Sequence, residues 1–145
     1  MISDPLYTWD PKTGTASCVI EYDGLTFCGI AKCHPNDEDM QSEKVGMYIA
    51  ELRAKIKFMQ YQKRIDKAKA DALKNLLFSM DRSKHFDRNS YAVKRLYKHL
   101  KAAMIDVEND RKLIEDYRIE IKRYIDTKDI FYKYVRRNRE KDKNK

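Results

Sequence analysis

The sequence is poor in the residues that interrupt regular structure, with only four glycines and three prolines in 145 positions. Together with 37% charged residues, that scarcity excludes a loop-rich or disordered chain and favours long, solvent-exposed helices. Cysteine is scarce as well: Cys18, Cys28 and Cys33 are odd in number and carry no CxxC spacing. A disulfide framework is therefore not expected, and neither is structural zinc, which needs four convergent ligands. Small, buried, reduced thiols are the expected state. No uncharged apolar run approaches the ~18 residues needed to cross a bilayer, and no basic-then-apolar leader opens the chain. A cytosolic protein with no membrane partner is the expectation. Also missing are a P-loop, a nucleophile elbow, a His-Glu-x-x-His motif and any RNP, zinc-finger or helix-turn-helix signature. A non-enzymatic protein is the expected class, with DNA and RNA disfavoured as partners.

Against these absences stand 42% hydrophobic residues and a formal charge of +8, with a sequence pI near 9.3. The length predicts a single domain spanning 1–145. The sign of the charge points to an acidic partner such as a nucleotide.

The organisation follows from local pattern. Residues 1–35 contain two β-rich runs, Ala16 to Tyr22 and Leu25 to Cys33, around Asp23-Gly24, the dipeptide that supplies the positive φ angles of a type I′ turn. A two-residue turn fixes the register: Tyr22 faces Leu25, Ile20 faces Phe27 and Cys18 faces Gly29. One face then carries Cys18, Ile20, Tyr22, Leu25 and Phe27 and is expected to be buried. The other carries Val19, Glu21, Thr26, Cys28 and Ile30 and is expected to be half covered. Cys18 and Cys28 fall on opposite faces, which again argues against a shared metal.

Asn36 or Asp37 can cap a first helix over 37–80, with acids suiting its first turn. His34, Asp37, Asp39, Ser42, Glu43 and Lys44 resemble a catalytic cluster in composition, but capping accounts for most of them. Apolar residues recur at Val45, Ile49, Leu52, Ile56 and Met59, then change phase to Tyr61, Ile65, Ala68, Ala72 and Leu76. Gly46 suits a close backbone approach. A basic turn over 81–89 precedes a second helix over 90–138, capped by Asn89 or Ser90, and a frayed basic tail covers 139–145. In the second helix Val93, Tyr97, Leu100, Met104, Val107, Ile114, Ile121, Ile125, Tyr132 and Val135 keep a coiled-coil rhythm, with Arg111, Arg118 and Lys128 as polar positions that specify an oligomer or line a cavity. The predicted fold is mainly α with a small N-terminal antiparallel β-hairpin or sheet. Its two long antiparallel helices form a decorated coiled-coil homo-oligomer, because two such helices bury only one side of each apolar stripe.

The turn holds Arg82, Lys84, Arg88, Lys94, Arg95 and Lys98 against Asp87, with His85 among them and Phe78, Phe86 and Tyr91 nearby. Aromatic rings stack on bases, arginine forks grip phosphate and Asn89 can contact a ribose or base edge. The same composition also fits a solvated basic loop.

The run Phe27-Cys28-Gly29-Ile30-Ala31-Lys32-Cys33-His34-Pro35, followed by Asp37, Asp39, Met40 and Ser42-Glu43-Lys44-Val45-Gly46, resembles the phage-encoded Thoeris anti-defence sponges of the first-described family. The opening Tyr7-Thr8-Trp9-Asp10, the Ser83-Lys84…Phe86 turn and the Lys128-Asp129…Phe131-Tyr132 ending are similar too. The resemblance implies a phage protein in the cytoplasm of an infected bacterium. It would bind cyclic ADP-ribose isomers made by TIR-domain proteins and block Thoeris effector activation without cleaving the ligand. It further implies a coiled-coil homodimer or larger assembly, no cofactor, and in some members a separate site for CBASS cyclic oligonucleotides. The family pocket uses an aromatic residue and an Asn near the connecting turn, where this chain offers Phe78, Phe86 and Asn89. Asp87-Arg88 stands in place of the Asn-Pro expected in relatives. Arg82, Arg88 and Arg95 are pyrophosphate partners by their chemistry alone, and Tyr91 completes the candidate set. The alternatives are a structural coiled-coil or nucleic-acid-binding phage protein, or an enzyme that degrades the nucleotide.

Overall fold

The computed structural model describes residues 2–32, 40–82 and 87–143, with side chains described up to residue 125 except at 40–42. Three strands, β1 (Leu6–Asp10), β2 (Thr15–Tyr22) and β3 (Leu25–Lys32), are followed by two helices, α1 (Met40–Asp81) and α2 (Tyr91–Lys143). The protein is thus mainly helical with a small N-terminal sheet. Its close contacts define two compact units, one of Met1–Lys57 with Asp116–Lys145 and one of Phe58–Glu115.

In the first unit the strands form an antiparallel sheet in the order β1-β2-β3. Asp23 and Gly24 take φ of 50° and 76°, the two positive angles of the expected turn. The register is the expected one, Tyr22 opposite Leu25, Ile20 opposite Phe27 and Cys18 opposite Gly29. β1 was not foreseen as a strand. It pairs along β2 from Leu6 opposite Val19 to Asp10 opposite Thr15, with the Thr8 and Ser17 hydroxyls hydrogen-bonded across the pair. The turn between them rests on Asp10, whose Oδ1 accepts from Lys12 N at 3.0 Å, and on Gly14 at φ 65°.

One sheet face is buried as expected, but its centre lies further from the hairpin turn. Ala16, Cys18, Ile20 and Ala31 pack with Ile49, Ala50 and Ala54 of α1, and Trp9, Val45, Met47 and Ile121 close the margin. Leu25, at the turn, is exposed instead. Gly29 lies directly on α1: a Cβ there would collide with the Ala50 carbonyl and the Ala54 nitrogen. A close backbone approach occurs at Gly29, matched by two small residues one helical turn apart; Gly46, where one was expected, is buried. Cys18 and Cys28 are both free, the first buried and the second half-buried on the opposite face.

Burial along the helices corrects two expectations. On α1 the stripe continues from Ile49, Leu52, Ile56 and Met59 to Lys63, Asp66, Ala70, Leu73, Leu77 and Met80, all buried or half-buried in steps of three and four. The expected change of phase does not occur, and Ile65, Ala68, Ala72 and Leu76 are exposed. On α2 the stripe runs Val93, Leu96, Leu100, Ala103, Val107, Asp110, Ile114, Tyr117 and Ile121, and from Val93 to Tyr117 every position off it is exposed. Tyr97 and Met104 face outward, as does Ile125. Arg111 and Arg118 are exposed as well, so the polar stripe position is Asp110. The physical reason is the same in both helices: polar Lys63, Asp66 and Asp110 occupy inward positions, so a count of apolar residues drifts onto a neighbouring face. Tyr132, Val135 and Lys128 have side chains outside the described residues.

α2 begins at Ser90, whose Oγ accepts from Val93 N at 3.3 Å, one of the two caps expected. It runs to Lys143, past the expected end at 138. The cap expected at Asn36 or Asp37 lies outside the described residues. No helix among the described residues is long and apolar enough to cross a membrane.

Candidate functional site

The candidate binding residues fall in the second unit, around the end of α1 and the start of α2. Three separate groupings hold them. In the first, the Arg82 guanidinium lies over the Phe78 ring at 4.4 Å from its centroid, and Phe78 is 59% exposed at the last turn of α1. A cation over one ring face is favourable.

In the second, Arg88 lies 3.6 Å from Asp81 across the turn, with both side chains exposed. Asp87 shapes this turn: its Oδ1 accepts from Asn89 N at 2.9 Å and its carbonyl accepts from Ser90 N at 3.1 Å. The side chain of Asn89 is exposed. Phe86, with Ser83, Lys84 and His85, lies outside the described residues.

The third grouping is an open hollow of about 600 Å³ along the first turns of α2, lined among the described residues by Tyr91, Lys94, Arg95, Lys98, His99 and Ala102. Spacings of three and four place these on one helical face. Tyr91 is 79% exposed. The volume falls within the roughly 300–1,000 Å³ common for small-molecule sites, but those sites bury most of their ligand, and the described walls all come from one helix. Among the described residues, no side-chain hydrogen bond, ion pair or ring contact links the three groupings; the second and third are joined only through the backbone, where Lys94 N donates to the Ser90 carbonyl at 3.1 Å. His99 extends the set read from sequence, and its signal is the i, i+4 spacing from Arg95.

Sequence reasoning missed two further constellations. In the first unit Tyr7 Oη donates to Glu51 Oε2 at 2.9 Å, while Glu51 Oε1 meets Lys55 Nζ at 3.0 Å. Burial, reinforced by the Glu51 hydrogen bond, pushes the Tyr7 phenol up to about 12. On the same unit the Tyr48 and Tyr124 rings sit 5.1 Å apart, tilted by 57°, and Tyr48 Oη donates to Glu120 Oε1 at 3.4 Å. Burial, with Glu120 next, raises the Tyr48 phenol. These tyrosines tie β1 and α2 to α1. Burial also pushes the Cys18 thiol up to about 11, so it stays protonated at neutral pH.

In the second unit Asp110 is 9% exposed and its Oδ2 has no hydrogen-bond partner among the described residues. Burial first, then the hydrogen bond and charge of Asp66, then the charge of Asp106, push its carboxyl up to about 7, against the pull of Lys63. Arg111, read as an oligomer-specifying position, instead grips Glu108 through Nε at 3.0 Å and Nη2 at 2.6 Å on the exposed face. No group of three or more potential metal ligands occurs among the described residues.

The arrangement is that of a helical protein with exposed aromatic and cationic side chains at one helix-connecting turn. Comparison with family models, with curated proteins and with solved structures finds no match.

Proposed function

We propose that the protein is a non-catalytic sponge for a cyclic ADP-ribose isomer, the signal made by TIR-domain immune proteins, and that it keeps a Thoeris effector inactive in the cytoplasm of an infected bacterium. The observation that carries this reading is the aromatic and cationic grouping at the turn. Phe78 is exposed beside Arg82, and Tyr91 stands in line with Lys94, Arg95 and Lys98. Adenine stacks on an exposed ring, a pyrophosphate pairs with arginine and lysine, and Asn89 is free to reach a ribose hydroxyl. The resemblance of the Ala31-Lys32-Cys33-His34-Pro35 region and of the turn to the anti-defence sponges points the same way.

The ligand-binding face is open on α2, so a second copy of the chain supplies its missing wall. Tyr97 and Met104 stand exposed seven residues apart along α2, an apolar line suited to coiled-coil self-association. A sponge acts by mass action and must hold free signal below the effector's threshold, which calls for a dissociation constant on the order of nanomolar or lower.

The test is capture. Purified protein is mixed with an extract in which a TIR enzyme has been triggered, then washed, heated, and its released small molecules weighed by mass spectrometry. An intact cyclic ADP-ribose isomer supports the sponge, and loss of capture in Phe78→Ala and Arg95→Ala places it at the turn; each stacked base is worth roughly 1–3 kcal/mol, or about tenfold in affinity and more. Linear product that accumulates with time makes the protein an enzyme. Retention of nothing nucleotide-like leaves a structural coiled coil. A cyclic oligonucleotide retained alongside, insensitive to the turn variants, indicates a second site.

A further inference from the structure

Inside the unit Phe58–Glu115 the carboxyl groups of Asp66 on α1 and Asp110 on α2 are within hydrogen-bonding reach of each other. Ionised carboxylates only accept hydrogen bonds, so a bond between two of them requires that one keep its proton. The setting favours that state. Asp110 is almost fully buried, and its Oδ2 faces no donor among the described residues. From α1 the pair meets the amide of Gln62, whose Nε2 donates to Asp66 Oδ1 at 3.3 Å, and the charge of Lys63; from α2 it meets the charge of Asp106. Gln62 and Lys63 stabilise one negative charge on the pair, while Asp106 and burial oppose a second. The site has the charge balance for a single anion sharing one proton between two carboxyl groups.

Both residues lie on the inward stripes of their helices, with Ala70 and Ile114 buried one turn further along. A second negative charge at this place adds to that of Asp106 against burial, and so pushes directly on the seam between the two helical segments. We propose that Asp66 and Asp110 form a proton-sharing latch, which holds α1 against α2 in this unit while one proton is bound and loosens that packing when the proton leaves.

The direction follows from linkage. In the unfolded chain an aspartic acid ionises near pH 4, whereas in the folded unit burial and the neighbouring Asp66 hold the Asp110 proton to about pH 7. Stability contributed by the latch is therefore complete below about pH 4, falls as pH rises through neutrality and is absent above it. Lys63, which favours ionisation, moderates the effect.

The test uses the full chain, followed by thermal and denaturant unfolding from pH 5 to pH 9, beside Asp110→Asn and Asp66→Asn. Wild type should lose at least about tenfold in its folding constant between pH 5 and pH 8 relative to either variant, and both variants should be flatter over that range. Asparagine keeps the shape and supplies a permanent donor, so the variants should melt above wild type at pH 8. Carbon-13 titration of the aspartate carboxyl groups in wild type gives a second readout that depends on no variant folding: one resonance should titrate near neutrality. The latch is overturned if every aspartate titrates below pH 5, or if wild type and variants share one pH slope. It is equally overturned if millimolar magnesium or calcium chloride, but not sodium chloride at equal ionic strength, restores wild-type stability at pH 8, because the carboxylates would then be holding a cation.

Discussion

Gly29 is the residue at which sheet and helix come closest. Its missing side chain lets β3 lie on the backbone of α1 between Ala50 and Ala54, and a single added methyl group meets main-chain atoms that cannot swing aside. Gly29→Ala should cost about 1–3 kcal/mol of stability, measured by denaturant unfolding, because the sheet must lift from the helix. By contrast, Gly24→Ala meets no neighbouring atom, and its smaller cost comes from the positive φ of 76° alone. Nothing in the composition of residues 25–32 singles out Gly29; its importance lies in what faces it from a segment some twenty residues further along.

At the scale of elements, legibility tracked how local the governing physics is. The hairpin was readable in full register because Asp23-Gly24 dictates its own turn and a two-residue loop leaves no freedom in the pairing. The capped start of α2 was readable for the same reason, and Ser90→Ala should cost about 1 kcal/mol, visible as a lower midpoint in urea with an unchanged slope. β1 was missed although Leu6-Tyr7-Thr8-Trp9 has strand-forming residues and Asp10-Pro11-Lys12-Thr13-Gly14 is a turn sequence; a five-residue edge strand carries too little pattern to declare itself without its partner. The inward stripes were misread where Lys63, Asp66 and Asp110 replace apolar residues, since hydrophobic counting has no means of placing charged side chains on an inward face. Of the candidate site, the sequence named the aromatics and cations around the turn, but not that Arg82 lies on Phe78, that Arg88 is paired with Asp81, or that Tyr91 and Arg95 share a hollow with His99.

At the scale of the whole molecule, the outward apolar residues of α2 bear on assembly. Tyr97 and Met104 are 48% and 49% exposed and stand seven residues apart, hence on one line of the helix. If that line is the contact between copies, the double variant Tyr97→Lys with Met104→Lys should sediment at lower mass than wild type at equal concentration, with its helical circular dichroism retained. An unchanged mass would move the contact elsewhere. The inward stripes have a further consequence. Both helices of the turn-bearing unit advance on a seven-residue beat, so the chain's length there is quantised. Removing residues 67–73 of α1 together with 101–107 of α2 takes one whole beat from each helix and should leave every remaining side chain on its original face, giving a shorter protein that still folds cooperatively. Removing one residue from either helix turns everything beyond it by roughly 100° and sends the stripe into solvent. Natural variation in the length of such a protein should accordingly come in matched sevens, growth and shrinkage by whole beats, as a ladder changes length only by rungs.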